Sequence, residues 1–239
     1  MQHSNKYIFV YSIVMVLIVA VALTIVAVAL RPAQEENIRI EKMKDILSSV
    51  NIPVESLEKK AIIDAYKKYI IGAIAVDNQG KILETDPEKV FLIDMALEMK
   101  KVAAQRNMPL FTAVLDKGDS AFIIPLRGKG LWGPVWGYMS FRVDFNTVVG
   151  TTFDHKGETP GLGAEINTSS FESMFIGKKI FDEQGKLTSI KVLKGGARDD
   201  DPHGVDAISG GTITSVGVDH MIHDCLAIYE PYFKKHMRL

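Results

Sequence analysis

The first pattern along the chain is an unbroken apolar run. From Tyr7 to Leu30 there are 24 residues without a charged side chain. As a helix the run reaches about 36 Å, more than the roughly 30 Å of a bilayer's hydrocarbon core. It therefore predicts a transmembrane anchor over about residues 7–30, within an N-terminal segment 1–31. A cleaved signal peptide is the rival reading, because Lys6 gives a basic start and Ala27-Val28-Ala29 has the look of a cleavage site. A signal h-region is only about 7–15 residues long, so the length favours the anchor.

Beyond residue 31 the periodicity changes. Ile40, Met43, Leu47 and Val50 recur at helical spacing and predict a helix over 33–50, ended by Asn51-Ile52-Pro53. Further helices are expected over 54–69, 87–105, 169–176 and 214–236, the last carrying Pro231. Strands are expected over 71–76, 110–115, 120–126, 137–145, 147–153 and 187–193. Helices at the edges and consecutive strands in the middle imply an α+β domain over 32–239 behind a single N-terminal transmembrane helix.

Composition adds an asymmetry. All 29 acidic residues and 26 of the 28 basic ones lie beyond residue 31, and the whole chain has a formal net charge of -1. That balance excludes a disordered chain and a polybasic nucleic-acid binder. The single cysteine, Cys225, forbids an intrachain disulfide and a cysteine-rich metal site, and its helical, apolar setting predicts a buried hydrophobe. Orientation stays open on charge alone. Arg31, Arg39, Lys42 and Lys44 after the span would hold the domain inside, but long domains escape that rule.

Three glycine-rich segments carry the candidate chemistry. Pro125–Tyr138 reads as a hairpin loop, and it holds both tryptophans, Trp132 and Trp136, beside Arg127 and Lys129. Flat aromatics beside cations suit a planar anionic ligand or a protein interface. His155–Glu165 contains the turn signal Pro160-Gly161 and matches neither a dinucleotide fingerprint nor a phosphate loop. His155 has no second histidine at helical spacing, so no metal ligand is assigned. Asp206–Ser215 runs into the last helix. It reads as a capped helix start whose free N–H groups are suited to a phosphate, with the hydroxyls of Thr212 and Thr214 beside them.

Asp206-x-x-Ser209-Gly210-Gly211-Thr212 resembles the D-x-x-[ST]-G-A-T flavinylation motif, with Gly211 in place of the usual alanine. With the two other segments in the same order, the chain is similar to the family of C subunits of the Na⁺-translocating NADH:quinone reductase. The resemblance implies FMN joined through its phosphate to Thr212 by an external flavin transferase that reads Asp206, Ser209, Gly210 and Thr212. It implies a covalent FMN-binding part over about 135–239 and cofactor contacts from Glu158, Thr159, Gly161, Leu162 and Gly163. Trp132, Ser209, Gly210, Gly211, Ile213 and Thr214 complete that set. The ring is expected over the Glu158–Gly163 turn, with the Pro125–Tyr138 segment nearby. No catalytic dyad or triad is expected, because the flavin performs the redox chemistry.

The family places such a chain in a six-subunit bacterial membrane complex, with its N-terminus cytoplasmic and its FMN domain on the outer face. There it relays electrons from a membrane-embedded iron centre to another subunit's flavin. Two alternatives stand beside this reading. One is the G subunit of the related ferredoxin:NAD⁺ reductase complex. The other is a membrane-anchored sensor in which Ser209–Thr214 is a helix cap only.

Overall fold

A computed structural model describes residues 4–116 and 118–237. The chain divides into two compact units, Met1–Lys42 and Met43–Leu239. The elements in chain order are α1 (Asn5–Ser48), α2 (Lys59–Tyr69), β1 (Ile70–Val76), β2 (Ile82–Glu84), α3 (Pro87–Phe91) and α4 (Met95–Glu98). They continue with β3 (Met108–Val114), β4 (Ser120–Lys129), β5 (Pro134–Phe141), β6 (Val148–His155) and α5 (Ser169–Ser173). The last three are β7 (Lys191–Leu193), β8 (Gly204–Asp206) and α6 (Thr212–His236).

The first unit is the bulk of α1. Its apolar stretch is long and apolar enough to cross a membrane, and none of it is buried in protein. The hydroxyl of Thr24 donates to the Ala20 carbonyl at 2.7 Å, so the one threonine of the run is satisfied inside the helix. The span expected over 7–30 and the helix expected over 33–50 are one continuous helix: α1 runs through Pro32. Arg31 and Glu35 pair across one turn at 2.9 Å, bracketing the backbone position where the proline has no N–H. The helix ends where the sequence predicts. Asn51 takes a left-handed φ of 60°, the Ile52 N–H returns to the Leu47 carbonyl, and Asn51 Nδ2 donates to the Val149 carbonyl.

The second unit is built on a six-stranded antiparallel sheet in the order β2-β1-β3-β4-β5-β6, with a separate parallel pair β7-β8. Helix α6 lies on β4 and β5. Its inward side buries Met221, Ile222, Cys225, Leu226, Tyr229 and Phe233 against Leu126, Met139 and Phe141. Cys225 is the buried hydrophobe the sequence predicts. Its Sγ accepts the Arg127 N–H at 3.4 Å, and burial pushes the thiol up to about 11.

Four expected elements differ, each for a local reason. The helix over 87–105 is three short pieces. Asp86 caps α3, whose first residue is Pro87. Asp94 then takes the Ala96 N–H at 2.7 Å and restarts the chain as α4, and Ala103–Gln105 is a single 3₁₀ turn. Glu98, nearly buried, accepts from the Asn107 N–H and from Lys101, which fixes the irregular stretch.

The strand expected over 137–145 stops at Phe141. Asp144 Oδ1 accepts from the N–H groups of Asn146 and Thr147, and Phe145 has a φ of 53°. The strand over 187–193 keeps only Lys191–Leu193, because Ser189 sits at a φ of 65°. Helix 54–69 starts at Lys59, after a turn closed by the Leu57 N–H on the Val54 carbonyl. The short strands β2 and β8 are too brief for the sequence pattern to reveal.

Candidate functional site

The Pro125–Tyr138 segment is mostly sheet. Strand β4 continues to Lys129 and β5 begins at Pro134, leaving a tight turn closed by the Gly130 N–H on the Gly133 carbonyl at 2.7 Å. The two tryptophans therefore part company. Trp136 is a half-buried strand residue directly across from Arg127, with the guanidinium 5.2 Å from its ring centre. The aromatic and the cation that the sequence places together are thus a cross-strand pair. Trp132 lies in the turn and is 69% exposed, an unusual position for so large an apolar side chain.

The second segment leaves the end of β6. The His155 ring nitrogen Nδ1 accepts the Glu158 N–H at 3.2 Å, so this histidine shapes the turn. Gly161 takes a φ of 74°, and its N–H donates to Glu165 Oε1 at 2.9 Å. The Thr159 carbonyl accepts from the N–H groups of Leu162 and Ala164. Thr159, Gly161 and Leu162 are exposed, whereas Glu158 and Gly163 turn inward.

The third segment enters α6 two residues earlier than the sequence suggests. Thr212 is the first helical residue, and Gly211 precedes it without a side-chain cap. Ser215 Oγ accepts the Ile208 N–H at 3.0 Å and ties the Ile208–Gly211 turn to the helix. Among the described residues nothing accepts from the N–H groups of Thr212, Ile213 and Thr214. The helix start therefore keeps its positive end open. Its two threonines differ sharply. Thr212 is exposed. Thr214 is 1% exposed, and its hydroxyl donates to Glu158 Oε2 at 2.6 Å.

These contacts bring the three segments together. Glu158 Oε1 accepts the Trp132 N–H at 2.9 Å while Oε2 holds Thr214. Leu162 covers Gly210, and a Cβ at Gly210 would lie 2.5 Å from its side chain. Gly211 packs close to the Gly163 nitrogen and to Ile208. Leu162, Ile213, Val216, Leu131 and Trp132 are exposed apolar side chains of these joined segments. Ser209 and Gly210 are exposed as well. Asp206 faces another way: its Oδ1 accepts the Ala197 N–H at 2.7 Å and closes the 195–206 loop.

Residues 130–227 match the family model described as an FMN-binding domain. Over 216 residues the chain is 33% identical to the C subunit of the Na⁺-translocating NADH-quinone reductase of Vibrio vulnificus, covering 85% of this chain and 84% of that protein. The crystal structure of the corresponding Parabacteroides distasonis protein superposes with a TM-score of 0.76 at 39% identity, covering 85% of this chain and 96% of that one. The chain belongs to the family of C subunits of the Na⁺-translocating NADH-quinone reductase. The Shewanella oneidensis member, NqrC, is more distant in sequence, at 26% identity, and keeps a TM-score of 0.69 over 82% of this chain. The family match runs from the β4–β5 turn into α6 and so takes in the meeting point of the three glycine-rich segments.

The residues of this family member fit an FMN. Three unpartnered N–H groups at the start of a 25-residue helix suit a phosphate. Exposed Trp132, Leu162 and Ile213 offer apolar faces for a planar ring. Glu158 is the residue whose position the sequence could not place. The resemblance puts it among the polar ligand contacts, yet both of its oxygens are committed to protein donors.

A second feature lies elsewhere on the sheet. Ser48, Asn51, Ile52, Glu55, Glu172 and Ile176 are among the residues that line a mixed polar and apolar cavity of about 260 Å³. Glu172 is pushed up to about 7, first by burial and then by the like charges of Glu55 and Asp154, against the pull of the Phe153 N–H it accepts at 2.7 Å. A carboxyl with a raised folded-state value binds its proton more tightly folded than unfolded. Its destabilising effect is therefore absent below about pH 4.5, grows as pH rises to about 7 and is then constant. Glu172→Gln keeps an acceptor for Phe153. It should raise the melting temperature relative to the parent at pH 8 and leave it unchanged near pH 4. Equal melting temperatures at pH 8 would contradict this assignment.

Proposed function

We propose that the chain is the covalent-FMN electron carrier of a membrane NADH:quinone reductase. FMN is held by a phosphoester on Thr212, and the N-terminal helix tethers the domain beside the other subunits. The observation that carries this reading is the contrast between two hydroxyls at the start of one helix. Thr212 stands exposed among unpartnered N–H groups, and Thr214 is buried and committed to Glu158.

Thr212 is a weak nucleophile, and among the described residues no histidine or carboxylate hydrogen-bonds to it. An external flavin transferase therefore supplies the base and an FMN donor activated at its phosphate. The threonine oxygen forms the new bond to phosphorus, the donor's leaving group departs, and the hydroxyl proton passes to the transferase. The open end of α6 stabilises the phosphate's charge without a cation. Trp132, Leu162 and Ile213 would offer the ring apolar faces. When bound, FMN supplies reversible single-electron chemistry.

The subunit sits in a six-subunit assembly, with its N-terminus cytoplasmic and its FMN domain on the outer face. The domain is long enough to translocate despite the basic residues that follow the span. The test is a denaturing gel of the full chain coexpressed with a flavin transferase and viewed under ultraviolet light. Yellow-green fluorescence on the band is expected. A dark band overturns the proposal and favours the non-redox anchored module.

A further inference from the structure

Glu158 is the point where all three glycine-rich segments meet, and it is only 4% exposed. Burying a carboxylate is costly even after the surroundings relax. Its partners here are two neutral donors, the Trp132 N–H and the Thr214 hydroxyl. Among the described residues no lysine, arginine or histidine side chain forms an ion pair with it. The backbone has been cleared to admit it. A Cβ on Gly130 would lie 2.5 Å from Oε1, and one on Gly163 would lie 2.6 Å from Oε2. A neutral side chain could fill this space at lower cost, so packing alone does not account for a carboxylate here.

We infer that Glu158 is a positioning residue that fixes the Trp132 turn against the start of α6, and that its charge lowers the reduction potential of the flavin on Thr212. This inference rests on the covalent-FMN reading above. The positioning part follows from the two hydrogen bonds, which join the tip of the β4–β5 hairpin to the third residue of α6. The electrostatic part follows from placement. A fixed negative charge, screened little by solvent, lies among the elements that surround Thr212, and it opposes the arrival of an electron there. Both carboxylate oxygens are held by the protein, so Glu158 acts through Trp132, Thr214 and its field.

The test uses the full flavinylated chain in detergent and compares the parent with Glu158→Gln and Glu158→Asp by spectroelectrochemistry. Gln can still accept from Trp132 and can donate to Thr214, so it removes the charge while keeping the contacts. The Gln variant should be easier to reduce, by about tenfold in the one-electron equilibrium, or ~59 mV. Asp keeps the charge and should stay close to the parent potential. A Gln variant with the parent's potential overturns the inference, and so does an Asp variant shifted as far as Gln.

Should Gln fail to load flavin, Asp decides alone: it must load and keep the parent potential, and a shift counts against the inference. A loaded protein with an unmoved potential fails this inference only. A parent chain that never becomes fluorescent fails the flavin reading itself. In that case amide exchange at Trp132 tests the positioning part. Faster exchange in Glu158→Ala supports it, and unchanged exchange overturns it.

Discussion

Thr212→Ala loses all covalent flavin fluorescence on a denaturing gel, while Thr214→Ala keeps it. The expectation follows from access. A transferase must bring an activated phosphate within bonding distance of one hydroxyl. Thr212 is exposed at the first helical position, whereas Thr214 is buried and donating to Glu158. Thr212→Ala removes one exposed hydroxyl and places the best helix former at the helix start, so the fold should be unharmed. Its melting temperature should stay within a few degrees of the parent, which separates lost attachment from lost structure. Thr214→Ala leaves Oε2 of Glu158 without its donor, at a cost of about 1–3 kcal/mol. It should therefore load flavin on a less stable domain. A fluorescent Thr212→Ala band, or a dark Thr214→Ala band from folded protein, would show that the attachment site has been misassigned.

Phe233→Ala should cost about 3–5 kcal/mol and lower the melting temperature by roughly 10 °C. Phe233 is fully buried near the end of α6. Its ring meets Phe141 edge-on at 5.3 Å, Phe145 at 5.2 Å and Tyr229 at 5.9 Å. Pro231, two residues earlier, has no N–H to give to the helix, so the last turns depend more than usual on side-chain packing. They are also clasped by the chain at Gly80, whose φ of 71° lets its backbone approach that of Tyr232. Lys235 Nζ donates to the Gln79 carbonyl at 2.7 Å nearby. Phe233→Leu keeps most of the volume and should cost much less. The measurement is thermal unfolding of the full chain by circular dichroism. A loss of only one or two degrees for Phe233→Ala would mean that the aromatic cluster does not hold the helix end.

The elements legible in the sequence are those governed by one strong local rule. Tyr7–Leu30 carries no charge over 24 residues, and that length is enough to cross a membrane. Helix α6 declares itself by its apolar spacing, and β3, β4 and β6 by β-branched and aromatic runs. The elements that periodicity misreads are those in which a single side chain or a left-handed residue captures the backbone. Asp94 splits the helix expected over 87–105, Asp144 ends β5, and Ser189 shortens β7. Such captures cost or gain about one hydrogen bond each, too little to show in a periodicity.

The candidate site follows the same division. Sequence by itself determined the long apolar N-terminal helix, the α+β class and the three glycine-rich segments, and it nominated Thr212, because these rest on composition, spacing and a motif contained in one stretch of chain. Only the tertiary structure decided that Trp136 belongs to the sheet while Trp132 stands exposed, that Thr214 is locked, and that Glu158 is the inward hub. Trp132 and Thr214 lie 26 and 56 residues from Glu158 along the chain. The first contact is made by the pairing of β5 with β6 and the second by the packing of α6 on the sheet, and no local pattern records either.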